Sequence, residues 1–320
     1  MSEAEFPSGS AIGAYRVVEP LGVVGLAERY RVVAPDGSVR VLGLLGVNHP
    51  DMARGLTDQA LTELRHPNVV PLVEVVQLGR RAAVVTGPLS GVTLKERLAS
   101  GPVSDELALS WFRGLLDGLE AAHRRGLVHR DLRPETILVD GDHASILDLG
   151  VASAMFALVH GGRSVTTSGT TIGRPHYWAP ERARRPQSAD GRSDLFSLGC
   201  VLYEMFAGVG PFAGLNLYDC YHATLESRFP PLAERRKGLP PHVGALVGAL
   251  LRARPEQRPQ SCAEVREILD GVRPAPPSTT PAPPTTVAPP PPRPPPRWPL
   301  AVTAALFVAL LAGLGWLALG

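Results

Sequence analysis

Residues 127–150, LVHRDLRPETILVDGDHASILDLG, decide how the rest of the chain reads. A short apolar entry, Leu127-Val128, runs into His129-Arg130-Asp131, and a polar loop follows. Then come a strand pattern over 136–139, a turn at Asp140-Gly141-Asp142, and a strand pattern over 144–147 that ends in Asp148-Leu149-Gly150. Asp131 and Asp148 thus close neighbouring structural pieces. Two carboxylates so placed can converge on one cleft, where one takes a hydroxyl proton and the other holds a divalent metal against a phosphate. Taken singly, each acid reads equally well as a turn or cap residue.

With 320 residues and 44% apolar content, the chain can bury a sizeable core. The formal net charge of +2 singles out no partner, and no nucleic-acid partner is expected. Basic residues are almost all arginine; the lysines are Lys95 and Lys237 alone. Cys200, Cys220 and Cys262 show no CxxC spacing and are odd in number, so they read as buried free thiols in a reducing compartment. Residues 1–14 are polar and Gly-rich; they are expected to be disordered and to contain no apolar targeting segment.

The 127–150 block closely resembles the catalytic and metal-binding loops of the bacterial eukaryotic-type Ser/Thr protein kinase family. Other stretches match that family in the right order: His66-Pro67-Asn68, GVTLKERL at 91–98, Tyr177 to Glu181 in YWAPE, DLFSLG at 194–199, and Arg258-Pro259, whose arginine is expected to pair with Glu181. The amphipathic pattern of Leu107, Trp111, Leu115 and Leu119 predicts a long helix from 104 to 124 leading into His129. The resemblance covers roughly residues 15–270 and implies an α+β, two-lobed fold. A small β-rich N-lobe would span 15–88 and a larger helical C-lobe 89–270.

The resemblance also assigns sites. Asp131 takes the base position and Asp148 the position of a Mg²⁺ ligand. Arg133 stands where the family has a lysine, and Thr136 where it has the asparagine that holds a second Mg²⁺. In the phosphate-covering loop Gly22 matches the first glycine and Gly25 follows Val24, which replaces the second; Ala27 replaces the third. Leu42 falls at the phosphate-pairing lysine and Arg40 at the alanine that packs on adenine. Arg29 falls at the valine that roofs it, and Leu89 lies in the hinge-like 87–89. A helix within 48–68 should carry the partner glutamate, but its position is Thr57. The Ser/Thr-rich stretch 152–171 corresponds to an activation segment, and Arg174 replaces a threonine near its end.

Two readings follow for the cofactor Mg-ATP. The first is a pseudokinase that acts by binding a cytoplasmic protein partner with little or no phosphoryl transfer. The second is an active Ser/Thr kinase of atypical nucleotide site, in which Arg40 or Arg29 supplies the missing cation. Residues 271–298, with 13 prolines from 272 to 298, read as a stiff spacer. Residues 299–319 lack charge and match a bilayer core in length, so they read as one transmembrane helix. Arg293 and Arg297 before it place the kinase-like domain on the cytoplasmic side of a bacterial membrane.

Overall fold

The computed structural model describes residues 5–160 and 174–275. The N-lobe begins as an antiparallel sheet of β1 (Ala11–Ile12), β2 (Tyr15–Val24), β3 (Ala27–Val33) and β4 (Val39–Asn48). After a single helical turn, α1 (Gln59–Thr62), come β5 (Leu72–Leu78) and β6 (Arg81–Thr86). The spatial order is β1-β2-β3-β4-β6-β5. Tyr30 lies opposite Leu42, and Arg29 opposite Gly43. Residues facing each other across antiparallel strands share a face of the sheet. One face therefore carries Tyr30, Val32, Leu42 and Leu44, which pack with Ile12, Tyr15 and Val17 into a small outer core. Arg29, Val41 and Gly43 lie on the opposite face. The fold starts before Tyr15, contrary to the disorder expected through residue 14: Ile12 is buried and Phe6 sets its ring edge-on to Tyr30.

The C-lobe follows as β7 (Val92–Thr93), α2 (Leu94–Ala99), α3 (Asp105–His123), β8 (Ile137–Asp140) and β9 (His143–Ile146). Then come α4 (Val151–His160), α5 (Pro180–Arg184), α6 (Gly191–Ala207), α7 (Leu217–Leu225), α8 (Leu232–Arg235), α9 (Pro241–Leu250) and α10 (Cys262–Leu269). Thr93 caps α2 in a reciprocal capping box with Glu96. The apolar stripe of α3 and the whole of α6 from Ser193 to Phe206 are buried in one core.

Between β4 and β5 the helix expected within 48–68 is reduced to a 3-10 turn, Arg54–Leu56, and the single turn of α1. Asp58 restarts the helix as an N-cap, and the chain leaves it before His66-Pro67. Its packing role passes to α4. Ala154 and Met155 join Met52, Leu56, Leu61 and Leu64 in a second core, with Ala154 against Gly55. The start of the expected activation-segment loop is therefore helical. The rest of that segment (161–171), the spacer beyond 275 and the apolar run 299–319 lie outside the described residues. Among the described residues no helix is long and apolar enough to cross a membrane.

Two buried ionic knots hold the C-lobe together. Asp194, fully buried, accepts hydrogen bonds from the backbone N–H groups of His129 and Arg130, both at 2.9 Å, and lies 2.9 Å from His123 Nε2. Glu181 receives Arg258 Nη1 at 2.7 Å and Nη2 at 2.8 Å, and Ser193 adds a third donor. Burial works against the Glu181 charge, but Arg258 and Ser193 outweigh it and keep its carboxyl below the usual glutamate range.

The first knot makes stability pH-dependent. Burial opposes charge on His123, yet the hydrogen bond and charge of Asp194 raise its pKa to about 10. A raised folded pKa gives stability that is full below the unfolded value near 6.5 and is lost as pH climbs toward 10. Urea titrations should show the midpoint falling across that interval, and His123→Gln should flatten the fall; a slope unchanged in the variant would refute the linkage. Arg258→Ala should cost about 3 kcal/mol or more, because it leaves Glu181 buried without its partner. An unaltered unfolding midpoint would show the pair to be dispensable.

Candidate active site

Asp131 sits in the loop between α3 and β8, and Asp148 lies two residues beyond the end of β9. The backbone at Arg130 (φ 65°) and at Asp148 (φ 63°) is left-handed, a conformation non-glycine residues adopt only where surrounding contacts enforce it. Asp194 enforces the first. His129, whose Nε2 lies 2.9 Å from the Leu147 carbonyl, ties the two loops to each other. The two acids expected from sequence are thus brought to one cleft.

Arg133 lies across the base position. Its Nε donates to Asp131 Oδ2 at 2.9 Å, Nη1 pairs with Glu135 at 3.0 Å, and Nη2 donates to the Gly25 carbonyl at 2.9 Å. Thr136 is fully buried; its hydroxyl accepts from the Arg133 backbone N–H at 3.1 Å and lies 3.0 Å from the Asp131 carbonyl. Arg174, in place of the family threonine, reaches Glu135 at 3.2 Å.

The upper wall of the cleft corrects the alignment made from sequence. Leu42, expected at the lysine position, is fully buried in the outer core, away from the cleft. Arg40, expected against adenine, shares that strand face and lies 3.8 Å from Asp36. Strand register is the reason: Arg29 faces inward, so its opposite residue Gly43 and the second neighbour Val41 do too. Gly43 therefore holds the lysine position, with no side chain at all. The space is taken by Arg29, whose Nη1 would stand 3.0 Å from a Cβ at Gly43. Arg29 is 1% exposed and its Nη2 forms an ion pair with Asp148 Oδ1.

Gly25 closes the arrangement. It lies in the two-residue turn between Val24 and Ala27 with φ 68°, a conformation glycine supplies at low cost. A Cβ there would overlap Asp148 Oδ2 and lie 3.3 Å from Thr136. The hairpin tip is thus set down on the two residues that the family uses for metal, and Arg133 clasps its carbonyl. Gly22 is exposed with φ 82°, lies opposite Arg29 in the sheet, and has open space where a Cβ would stand. Leu89 is half-buried beside Leu138 in a pocket behind the hinge. Mg-ATP does not fit these residues: Asp148 is engaged by Arg29 on one oxygen and covered by Gly25 on the other, and the Thr136 hydroxyl is turned to backbone.

Sequence reasoning missed Arg182. It is 2% exposed, stacks over Trp178 at 4.2 Å and Phe156 at 5.2 Å, and brings Nη2 to 3.7 Å from Asp131 Oδ1. Burial lowers its pKa to about 10, which leaves it cationic at neutral pH. A basic residue directly after Glu181 is a signal only once α5 is known to pack beneath the catalytic loop.

Comparison with known proteins identifies the family and the fold. A family model described as Protein kinase domain matches residues 58–269, beginning downstream of the strands that carry Gly22 to Gly43. Serine/threonine-protein kinase PknB of Mycobacterium tuberculosis is 32% identical over 268 residues, covering 80% of this chain and 42% of its own length. Serine/threonine-protein kinase pkn2 of Myxococcus xanthus is 31% identical over 277 residues, with 82% and 33% covered. The chain therefore spans less than half the length of these relatives. In fold it is similar to the crystal structure of the Mycobacterium tuberculosis PknI kinase domain, with a TM-score of 0.63, 20% identity, and 84% of this chain and 100% of that one covered. The chain belongs to the protein kinase domain family, in its bacterial eukaryotic-type Ser/Thr branch.

Proposed function

We propose that this protein is a pseudokinase: a kinase domain whose nucleotide cleft is held shut by its own residues and which works by binding another cytoplasmic protein. The observation that carries this reading is the seat of Gly25 on Asp148 and Thr136, locked by the Arg29–Asp148 pair and the Arg133 clasp. Phosphoryl transfer depends almost wholly on positioning phosphates and stabilising their charge. Here the groups that would do so are bonded to one another, and no glutamate from the β4–β5 connection is placed to free Arg29 from Asp148.

A second reading has one specific observation in its favour. Arg29 puts a guanidinium where the family has its lysine, beside an intact Asp131 and Asp148. In that reading the hairpin lifts, Arg29 turns from Asp148 to a phosphate, and the protein is an active Ser/Thr kinase. We further propose that the proline-rich run and the uncharged 299–319 segment tether the domain to the bacterial cytoplasmic membrane; the support is its length and lack of charge.

The full-length chain should bind Mg-ATP no more tightly than about 1 mM by calorimetry, some 4 kcal/mol of binding free energy. It should transfer no label from radiolabelled ATP to itself or to a generic basic protein. Transfer that survives Arg40→Ala but vanishes in both Arg29→Ala and Asp131→Asn would establish the second reading instead. For the tether, deleting residues 299–320 should move the protein from the membrane to the soluble fraction; a full chain already soluble would reject it.

A further inference from the structure

A pocket of about 730 Å³ opens on the C-lobe surface between α5 and the connection from α9 to α10. Arg184 and Arg185 belong to the α5 wall, Arg254 and Glu256 to the other. Pro180, Leu225 and Pro255 give the space between them apolar surface.

The two walls are fastened to each other. Arg258 holds Glu181 of α5 through both terminal nitrogens, and it also donates to the carbonyls of Arg252 at 2.7 Å and Ala253 at 3.0 Å. The Ala253 N–H in turn donates at 2.8 Å to the hydroxyl of Ser227, a residue kept in the left-handed region at φ 51°. On the α5 side the Ser188 hydroxyl donates to the Arg185 carbonyl at 2.7 Å. The shape of the pocket therefore exists before anything binds, and a ligand entering it has little protein to order.

Its charges are out of balance. Arg184, Arg185 and Arg254 are exposed, and none of them pairs with a carboxylate among the described residues. Arg184 Nε meets only the neutral Tyr221 hydroxyl, at 3.2 Å. Of the two acids in the lining, Glu181 is neutralised by Arg258, and Glu256 is exposed and also acts on Arg192, outside the pocket. Three cations thus face one uncommitted carboxylate at most. Other surface arginines have found acids: Arg31 pairs with Glu19, Arg113 with Asp270, and Arg228 with Glu226. A guanidinium recognises a carboxylate through two parallel hydrogen bonds. Cations on two walls suit several acids spaced along a chain better than one compact anion, and the proline and leucine surface between them suits an apolar side chain.

We propose that this pocket is the surface through which the domain takes its partner, and that the partner presents an acidic peptide segment with carboxylates on both sides of an apolar residue. The proposal rests on the binding role given to the domain above and adds to it a place and a chemistry. The pocket shares no residue with the nucleotide cleft, so the two can be tested apart.

The test is fluorescence anisotropy on the native full-length chain in nonionic detergent, without nucleotide. The probe is a short fluorescein-labelled peptide with a pair of glutamates on each side of a leucine. Arg185→Glu and Arg254→Glu should each weaken its binding at least about tenfold, because a repulsive charge replaces an attractive one. Arg80→Glu, at an exposed arginine of the N-lobe, should leave binding unchanged. The exchanged side chains are exposed and unpaired, so the fold loses no contact. Failure of the wild type to bind the probe would overturn the proposal, as would equal binding of the same peptide with glutamine for glutamate, or full binding by both pocket variants. Binding only when phosphoserines replace the glutamates would also overturn it, by making the pocket a phosphate site. The pseudokinase reading falls on a different result, phosphoryl transfer from ATP, which none of these measurements contains.

Discussion

The catalytic loop hangs from one buried carboxylate. Asp194 has no exposed surface, so its charge is tolerable only because three donors converge on it: two backbone N–H groups and the His123 imidazolium. Those donors are the loop itself. Because every residue from Ser193 to Phe206 is buried, α6 has a single position in the core, and the backbone of His129 and Arg130 inherits it. The left-handed turn at Arg130 persists for the same reason. None of this depends on a nucleotide, so the lower half of the cleft keeps its geometry independently of whether any chemistry occurs there.

The upper half obeys a different constraint, the charge balance at Asp148. A carboxylate this deeply buried requires a cation, and here the cation comes from β3 rather than from β4. With no side chain at Gly43 there is room for the Arg29 guanidinium, and a Cβ at Gly43 would also stand 3.1 Å from Ala27 and 3.2 Å from Val84. The exchange preserves the charge and changes its use. Arg29 is bonded directly to Asp148, and the short β2–β3 turn lies so close to that acid that a Cβ at Gly25 would overlap it. Arg133 then holds the turn from below. Three features that look like separate losses, Gly43, the tight hairpin and Arg133, are parts of one closed arrangement.

The missing helix between β4 and β5 belongs to the same arrangement. With no lysine there is nothing for a helix glutamate to meet, and the connection shrinks to a 3-10 turn and one turn of α1. The apolar surface left over is covered by α4, formed from residues that directly follow Asp148-Leu149-Gly150. Val151, Ala154 and Met155 are buried there, which ties the start of the activation segment to the N-lobe core.

Much of this could be read from the chain alone. HRD, DLG, YWAPE, the α6 start and Arg258-Pro259 are local patterns whose residue types follow from local demands such as caps, buried ion pairs and tight turns, so the two-lobed fold and the convergence of Asp131 with Asp148 were legible. The Glu181–Arg258 pair was too, because both residues sit in such motifs. What the chain alone left open was which face of β4 looks into the cleft. Side chains alternate with a period of two, so an alignment error of one residue exchanges Arg40 and Leu42 for Val41 and Gly43, and only the pairing with β3 sets that parity. The reach of Arg29 to Asp148, across 119 positions, the seat of Gly25, and the burial of Arg182 beneath Asp131 are likewise products of packing between distant segments. Sequence determined which groups are present; tertiary structure decided which of them meet, because opposite charges buried in one cleft, such as Arg29 with Asp148 and Arg133 with Asp131, are stabilised by pairing.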